Sequence, residues 1–104
     1  MAIARFKDLC LDAVDPAGLG QFYATVLGLR WEPDGDDEGV LRGATPQHTI
    51  WINKVPEPRT VKQRVHFDVY ALDLAGLTVL GATVLEPQHG TRTWTIMADP
   101  EGGP

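Results

Sequence analysis

The sequence predicts an α+β fold built from two similar halves, each running strand, capped helix, strands. Three observations predict it. First, a shift of 58 residues lays Asp15, Ala17, Gly18 and Leu19 on Asp73, Ala75, Gly76 and Leu77, and lays Asp8, Leu9 and Leu11 on His66, Phe67 and Val69. Second, residues 6–14 and 65–70 alternate with the period of two that a half-buried strand needs. Third, residues 16–27 carry one apolar stripe at helical spacing.

The first strand puts Leu9, Leu11 and Ala13 on one face and Asp8, Cys10, Asp12 and Val14 on the other. The apolar face is expected to pack under a helix. That helix follows at once. Asp15 can accept backbone N–H bonds at its start, Pro16 suits its first turn, and Gly28 can take the left-handed conformation that ends it. Its stripe is Leu19, Phe22, Tyr23, Val26 and Leu27. Residues 29–33 read as a strand, 34–39 as an Asp- and Gly-rich turn, 40–43 as a short strand and 44–47 as a turn around Pro46. Residues 48–55 read as a longer strand, with Trp51 and Asn53 on one face and Ile50 and Ile52 on the other.

Two prolines and three charges across residues 55–62 mark an exposed connection. The strand over 65–70 then sets His66, Asp68 and Tyr70 against Val65, Phe67 and Val69. Asp73 caps a shorter helix through Leu80, and Gly81 closes it. Residues 82–85 and 92–98 read as strands and 99–103 as a turn. The first half thus has three strands after its helix and the second only two. A further strand is expected beyond Pro104, from additional chain or from another subunit, because an unpaired sheet edge invites pairing.

Composition narrows the function classes. Hydrophobic residues make up 43% and charged residues 22%, the proportions of a folded domain. A net charge of −5 speaks against nonspecific binding to nucleic acid or anionic membrane, which attract basic surfaces. Cys10 is the only cysteine, so no internal disulfide forms and no cysteine cluster holds zinc. No window has the roughly 20 apolar residues of a membrane-spanning helix, and no signal peptide is read at the start. A cytoplasmic protein with neither membrane nor nucleic-acid partner is expected. No Gly-rich loop with Lys-Ser or Lys-Thr suggests a phosphate-binding loop. The chain has no serine to act as a nucleophile. A Cys10–His66 nucleophile pair is less favoured than an inert cysteine. Arg59, Lys62 and Arg64 form a small basic cluster, read as a solvated loop or a subunit contact rather than an anion site.

Here the residues resemble a known group. Asp15-Pro16, leading into Phe22-Tyr23 and Leu27-Gly28-Leu29, resembles the first helix of the vicinal oxygen chelate superfamily, the glyoxalase/bleomycin-resistance/dioxygenase proteins. Arg64-Val65-His66-Phe67-Asp68-Val69 resembles its second-module opening strand, and Leu80-Gly81-Ala82-Thr83-Val84 the turn after its second helix. Met97-Ala98-Asp99-Pro100-Glu101-Gly102 resembles its late turn. The stretch from Val55-Pro56-Glu57-Pro58 through Lys62-Gln63-Arg64-Val65-His66 is similar to the uncharacterised glyoxalase-like domain branch common in actinobacteria. The resemblance implies two βαβββ modules forming a curved mixed sheet around a pocket, with the helices on the outer face. Residues 1–104 would be one domain: first module 1–55, linker 56–63, and an incomplete second module 64–104. It also implies a homodimer, since related proteins commonly pair to complete their pockets.

With helices outside, the pocket-lining residues are Asp8, Cys10, Trp51, Asn53, His66, Asp68 and Tyr70, joined by Trp31 and Trp94. An aromatic wall with a few polar groups suits a small ligand, and the carboxylates suit a cationic group. Core packing is the plain alternative for each tryptophan, and a hydrogen bond to Asp68 or Asp8 is the plain alternative for His66. In metal-using relatives the opening strand of each module and the last strand supply ligands. Asp8 and His66 occupy the first two of these places. The third, a Glu, would lie beyond Pro104, and on the fourth strand Trp51 or Asn53 stands where a carboxylate is wanted. Catalytic metals need about three protein ligands and an open position. The resemblance therefore implies a protein that binds a small aromatic or cationic molecule without a complete metal site. Two alternatives stand beside it. One is a lyase, isomerase or dioxygenase using Fe, Mn, Ni or Zn, with His66 as the catalytic candidate. The other is an interaction module that completes its sheet with another subunit.

Overall fold

In the computed structural model, β1 (Leu9–Ala13) and β4 (Ile50–Lys54) lie side by side in parallel, with Leu9 opposite Ile50 and Ala13 opposite Lys54. The structure describes residues 2–86, 88 and 94–103. Contacts divide the chain into two units, Met1–Glu57 and Pro58–Pro104. Among the described residues no helix is long and apolar enough to cross a membrane.

The first unit is a mixed four-stranded sheet, order β1-β4-β3-β2, with one helix packed on it. Helix α1 spans Pro16–Leu27. The Asp15 carboxylate accepts from the Gly18 N–H at 3.1 Å, Pro16 opens the helix, and Gly28 ends it at φ 68°. Leu19, Phe22 and Tyr23 are buried as the stripe requires, and the Phe22 and Tyr23 rings meet edge to face at 5.1 Å. They join a core whose centre is Leu41 and Ile52, both 0% exposed.

Strands β2 (Arg30–Asp34) and β3 (Glu38–Arg42) form a hairpin around residues 35–37, where Gly35 sits at φ 73°. The ladder therefore includes Glu38 and Gly39, which the sequence reading assigned to the turn. His48 belongs not to β4 but to a short 3-10 turn, Pro46–His48, where its Nδ1 meets the Thr45 hydroxyl at 2.8 Å. β1 is also shorter than the alternation over 6–14 predicts. Its partner strand begins at Ile50, so Phe6 and Lys7 have no ladder to join. At the other end Val55 N–H donates to Ala13 at 3.0 Å, and Pro56 has no N–H with which to continue.

The second unit contains α2 (Leu74–Val79), β5 (Thr83–Glu86) and β6 (Ile96–Ala98). Asp73 caps α2 through the Ala75 N–H at 3.0 Å. β5 and β6 pair antiparallel, with a register shift between Val84 and Glu86. Past β6 the chain turns about Asp99, whose Oδ1 accepts from the N–H groups of Glu101 and Gly103, both at 2.9 Å. Two expectations change here. Residues 65–70 do not form a strand. In the first unit the opening strand is held by its parallel partner β4. Among the described residues no strand pairs with 65–70. Of the strand expected over 92–98, only Ile96–Ala98 is in a ladder, and Arg92 and Thr93 lie outside the described residues. The fold is α+β, a mixed sheet with helices.

Candidate functional site

Residues opposite one another in a ladder share a face of the sheet. Trp31 pairs with Leu41, Leu41 with Ile50, and Leu9 with Ile50, so these side chains share one face. It is the face α1 covers, because a Cβ on Gly20 of α1 would fall inside the Trp31 indole. Gly39 of β3 leaves the same ring its room from the other side. Trp31 is thus core packing on the helix side, and its assignment to the pocket is corrected. The two glycines make an indole-sized slot that no residue adjacent in sequence reveals.

The opposite face carries the candidate site. Across its middle run Cys10, Trp51, Val40 and Glu32, each paired with the next. One step along the strands, about 7 Å away, run Asp12, Asn53, Glu38 and Asp34. One step the other way, Arg42 pairs with Arg30. Trp51 and Asn53 are half-buried and Val40 is buried. The face therefore holds an aromatic ring at its centre, a row of carboxylates and an amide to one side, and an arginine pair to the other.

Two local networks give this face its electrostatics. Asp8 is 11% exposed at its side chain, against 84% for Lys7, whose Nζ donates to Asp8 Oδ2 at 2.7 Å. The Cys10 thiol donates to Asp8 Oδ1 at 3.7 Å. The hydrogen bond to Asp8, with the carboxylate's charge, holds the Lys7 ammonium above its ordinary pKa. Partial desolvation and then the Asp8 charge push the Cys10 thiol up, so Cys10 stays a protonated thiol at neutral pH. At the other edge Glu32 accepts from Arg30 Nε at 2.7 Å and from Arg42 Nε at 3.0 Å. Those two hydrogen bonds hold its carboxyl below the ordinary range. The sequence reading missed this trio. The signal was the alternation of Arg30, Glu32 and Asp34 against Leu29, Trp31 and Pro33.

The remaining candidates lie in the second unit. His66 is exposed, and its Nε2 lies 2.7 Å from the Gln63 carbonyl. A carbonyl only accepts, so the proton sits on Nε2. The partner is thus Gln63 rather than Asp68 or Asp8. Asp68 and Tyr70 are exposed, and Trp94 is 59% exposed. Asp8, Cys10, Trp51 and Asn53 share one face of the first unit, whereas His66, Asp68, Tyr70 and Trp94 belong to the other unit. Among the described residues no three His, Cys, Asp or Glu side chains gather as a metal would require. Both Asp8 oxygens are already engaged by Lys7 and Cys10. Among the described residues of the first unit, Asp8 and its neighbours do not by themselves make a metal site, and no step is derived through a metal.

The family model described as the glyoxalase-like domain matches residues 8–104. No curated protein matches the chain. Among solved structures, a possible glyoxalase from Bacillus cereus is 19% identical, with 98% of this chain and 95% of that chain covered and a TM-score of 0.64. A glyoxalase/bleomycin resistance protein/dioxygenase family enzyme from Burkholderia phytofirmans PsJN is 20% identical, with 96% and 94% covered and a TM-score of 0.67. A hypothetical protein from S. aureus is 15% identical, with 99% and 90% covered and a TM-score of 0.67. At such identities the likeness carries the fold and not the chemistry. With the family model matched over nearly its whole length, the chain belongs to the glyoxalase-like domain family of the vicinal oxygen chelate superfamily.

Proposed function

We propose that this chain is a binding protein of the glyoxalase/bleomycin-resistance type, which holds a small aromatic or cationic molecule against the sheet face turned away from α1, without a chelated metal. The observation that carries the reading is the placement of Trp51. It is half-buried on an inner strand, with Cys10 and Val40 as direct neighbours and the row of Asp12, Asn53, Glu38 and Asp34 alongside. A ring so placed offers a stacking surface, and the carboxylates offer counter-charge to a cation. The protonated Cys10 thiol and the engaged Asp8 favour binding over nucleophilic or metal chemistry. Pairing with a second copy belongs to the same proposal. It is supported by the large apolar side chains the second unit leaves exposed, Val65, Val69, Tyr70 and Leu72 among them.

Intrinsic fluorescence titrated against a panel of planar amines, planar carboxylates and neutral aromatics tests the reading. Saturable quenching that disappears in Trp51→Phe is expected. A flat response across the panel, or equal quenching in Trp51→Phe, would overturn it.

A further inference from the structure

Two guanidiniums meet on the sheet face that carries Trp51. Arg30 and Arg42 stand opposite each other across the β2–β3 ladder, and one carboxylate joins them. Glu32 Oε2 accepts from Arg30 Nε at 2.7 Å, and Oε1 accepts from Arg42 Nε at 3.0 Å. Two positive charges thus share one negative charge, and a guanidinium never gives up its proton in a protein. One positive charge is left uncompensated. The bonds to Glu32 use only the Nε atoms, so the Nη ends of both arginines have no partner among the described residues. The two side chains are 67% and 44% exposed, within reach of a ligand. The Nη end of a guanidinium is a fork that matches two oxygens of a carboxylate.

The same bonds place the fork relative to the ring. Glu32 stands in the row of Trp51, two strands over with Val40 between them, about 10 Å away at the usual strand spacing. Bonding to Glu32 holds both guanidiniums beside this middle row. Val40 is buried and Trp51 half-buried, so the ground between ring and fork is apolar. On the other side of Trp51 lie Asp12, Glu38 and Asp34, which repel an anion. At the arginine end Asp8, just before β1, is paired with Lys7 at 2.7 Å and adds no net charge. An anionic group on this face is therefore favoured at one end alone. Glu32 also holds the arginines in advance, which lowers the cost of ordering them around a ligand.

We propose that Arg30 and Arg42 orient the ligand of this face, and that the ligand is an aromatic ring bearing a carboxylate, the ring against Trp51 and the carboxylate at the arginine pair. The inference rests on the reading of Trp51 given above and narrows it, choosing an aromatic carboxylate over a cation.

Nitrogen-15 NMR of the full chain tests it, by the indole N–H signal of Trp51 and the Nε–H signals of Arg30 and Arg42. Benzoate, benzamide and benzylamine are titrated separately at matched ionic strength. Benzoate is expected to bind about fivefold more tightly than benzamide, the scale of one near-surface charge pair, and to move the Trp51 signal and an arginine signal together. Arg42→Gln and Arg30→Gln should each remove most of that advantage, and two variants keep the test open should one fail to fold. A Trp51 signal that moves as readily with benzamide or benzylamine would overturn the inference and leave the reading of Trp51 standing. So would a benzoate advantage that persists in both variants. A Trp51 signal that none of the three moves would overturn the reading itself, and the inference with it.

Discussion

Trp31 lies against Gly20, so the first unit's sheet and helix meet through an aromatic ring seated on bare backbone. Gly39 leaves room for the other edge of the same indole, and a Cβ there would also lie 2.9 Å from the Glu32 carbonyl oxygen. Overpacking a filled core costs about 1–3 kcal/mol. At Gly20 that cost is offset by the roughly 1 kcal/mol that alanine gains over glycine within a helix. In β3 alanine gains a similar amount, but there the added Cβ also meets the rigid Glu32 backbone, which cannot shift as a side chain can. Urea denaturation should therefore show Gly39→Ala destabilised by about 1–3 kcal/mol and Gly20→Ala by less. Equal stability of Gly39→Ala and the parent would contradict this packing.

Asp15 and Gly18 make the cap that starts α1, at 3.1 Å. Asp15→Ala should cost about 1 kcal/mol by the same measurement, and Asp15→Asn much less, since either side-chain oxygen can accept.

Glu32 links acid to stability through its two arginines. Its folded pKa lies below the ordinary 4.5, so its contribution is present above that value and is lost as pH falls through the folded pKa. A Glu32→Gln variant should therefore be less stable than the parent at pH 7. The difference should close as the pH falls below the ordinary 4.5 and through the lowered folded pKa. Because the trio is exposed, the effect should be small and should shrink in high salt. A gap that widens on acidification would contradict the assignment.

Cys10 reports on Asp8. Desolvation and the neighbouring carboxylate raise the thiol pKa, so alkylation by iodoacetamide at pH 8 should be slower than for a free cysteine. Removing the charge in Asp8→Asn should speed it. With a single cysteine in the chain the signal is unambiguous. An unchanged rate in Asp8→Asn would show that the carboxylate does not govern the thiol.

Local chemistry was readable where neighbours in sequence decide it. Asp15, Pro16 and Gly28 mark α1 because a cap, a preset φ and a left-handed terminus are properties of single residues. The faces of β1 and β4 were readable too, since alternation fixes them whatever the partner, and Trp51 and Asn53 sit together as expected. Features that depend on pairing were not. The meeting of Arg30, Glu32 and Arg42 requires the hairpin register. The seat of Trp31 requires a helix glycine and a strand glycine at once. Residues 65–70 have the pattern of a strand, but a pattern becomes a strand only beside a ladder, and none is present among the described residues.

The central claim is that ligand meets the sheet face bearing Trp51 and not the face under α1. Fluorine NMR of protein labelled with 5-fluorotryptophan tests this directly, because the chain's three tryptophans give one resonance each. A ligand chosen by fluorescence should shift the Trp51 resonance saturably and leave that of Trp31, between Gly20 and Gly39, in place. A ligand that moves Trp31 while Trp51 stays still would contradict the account.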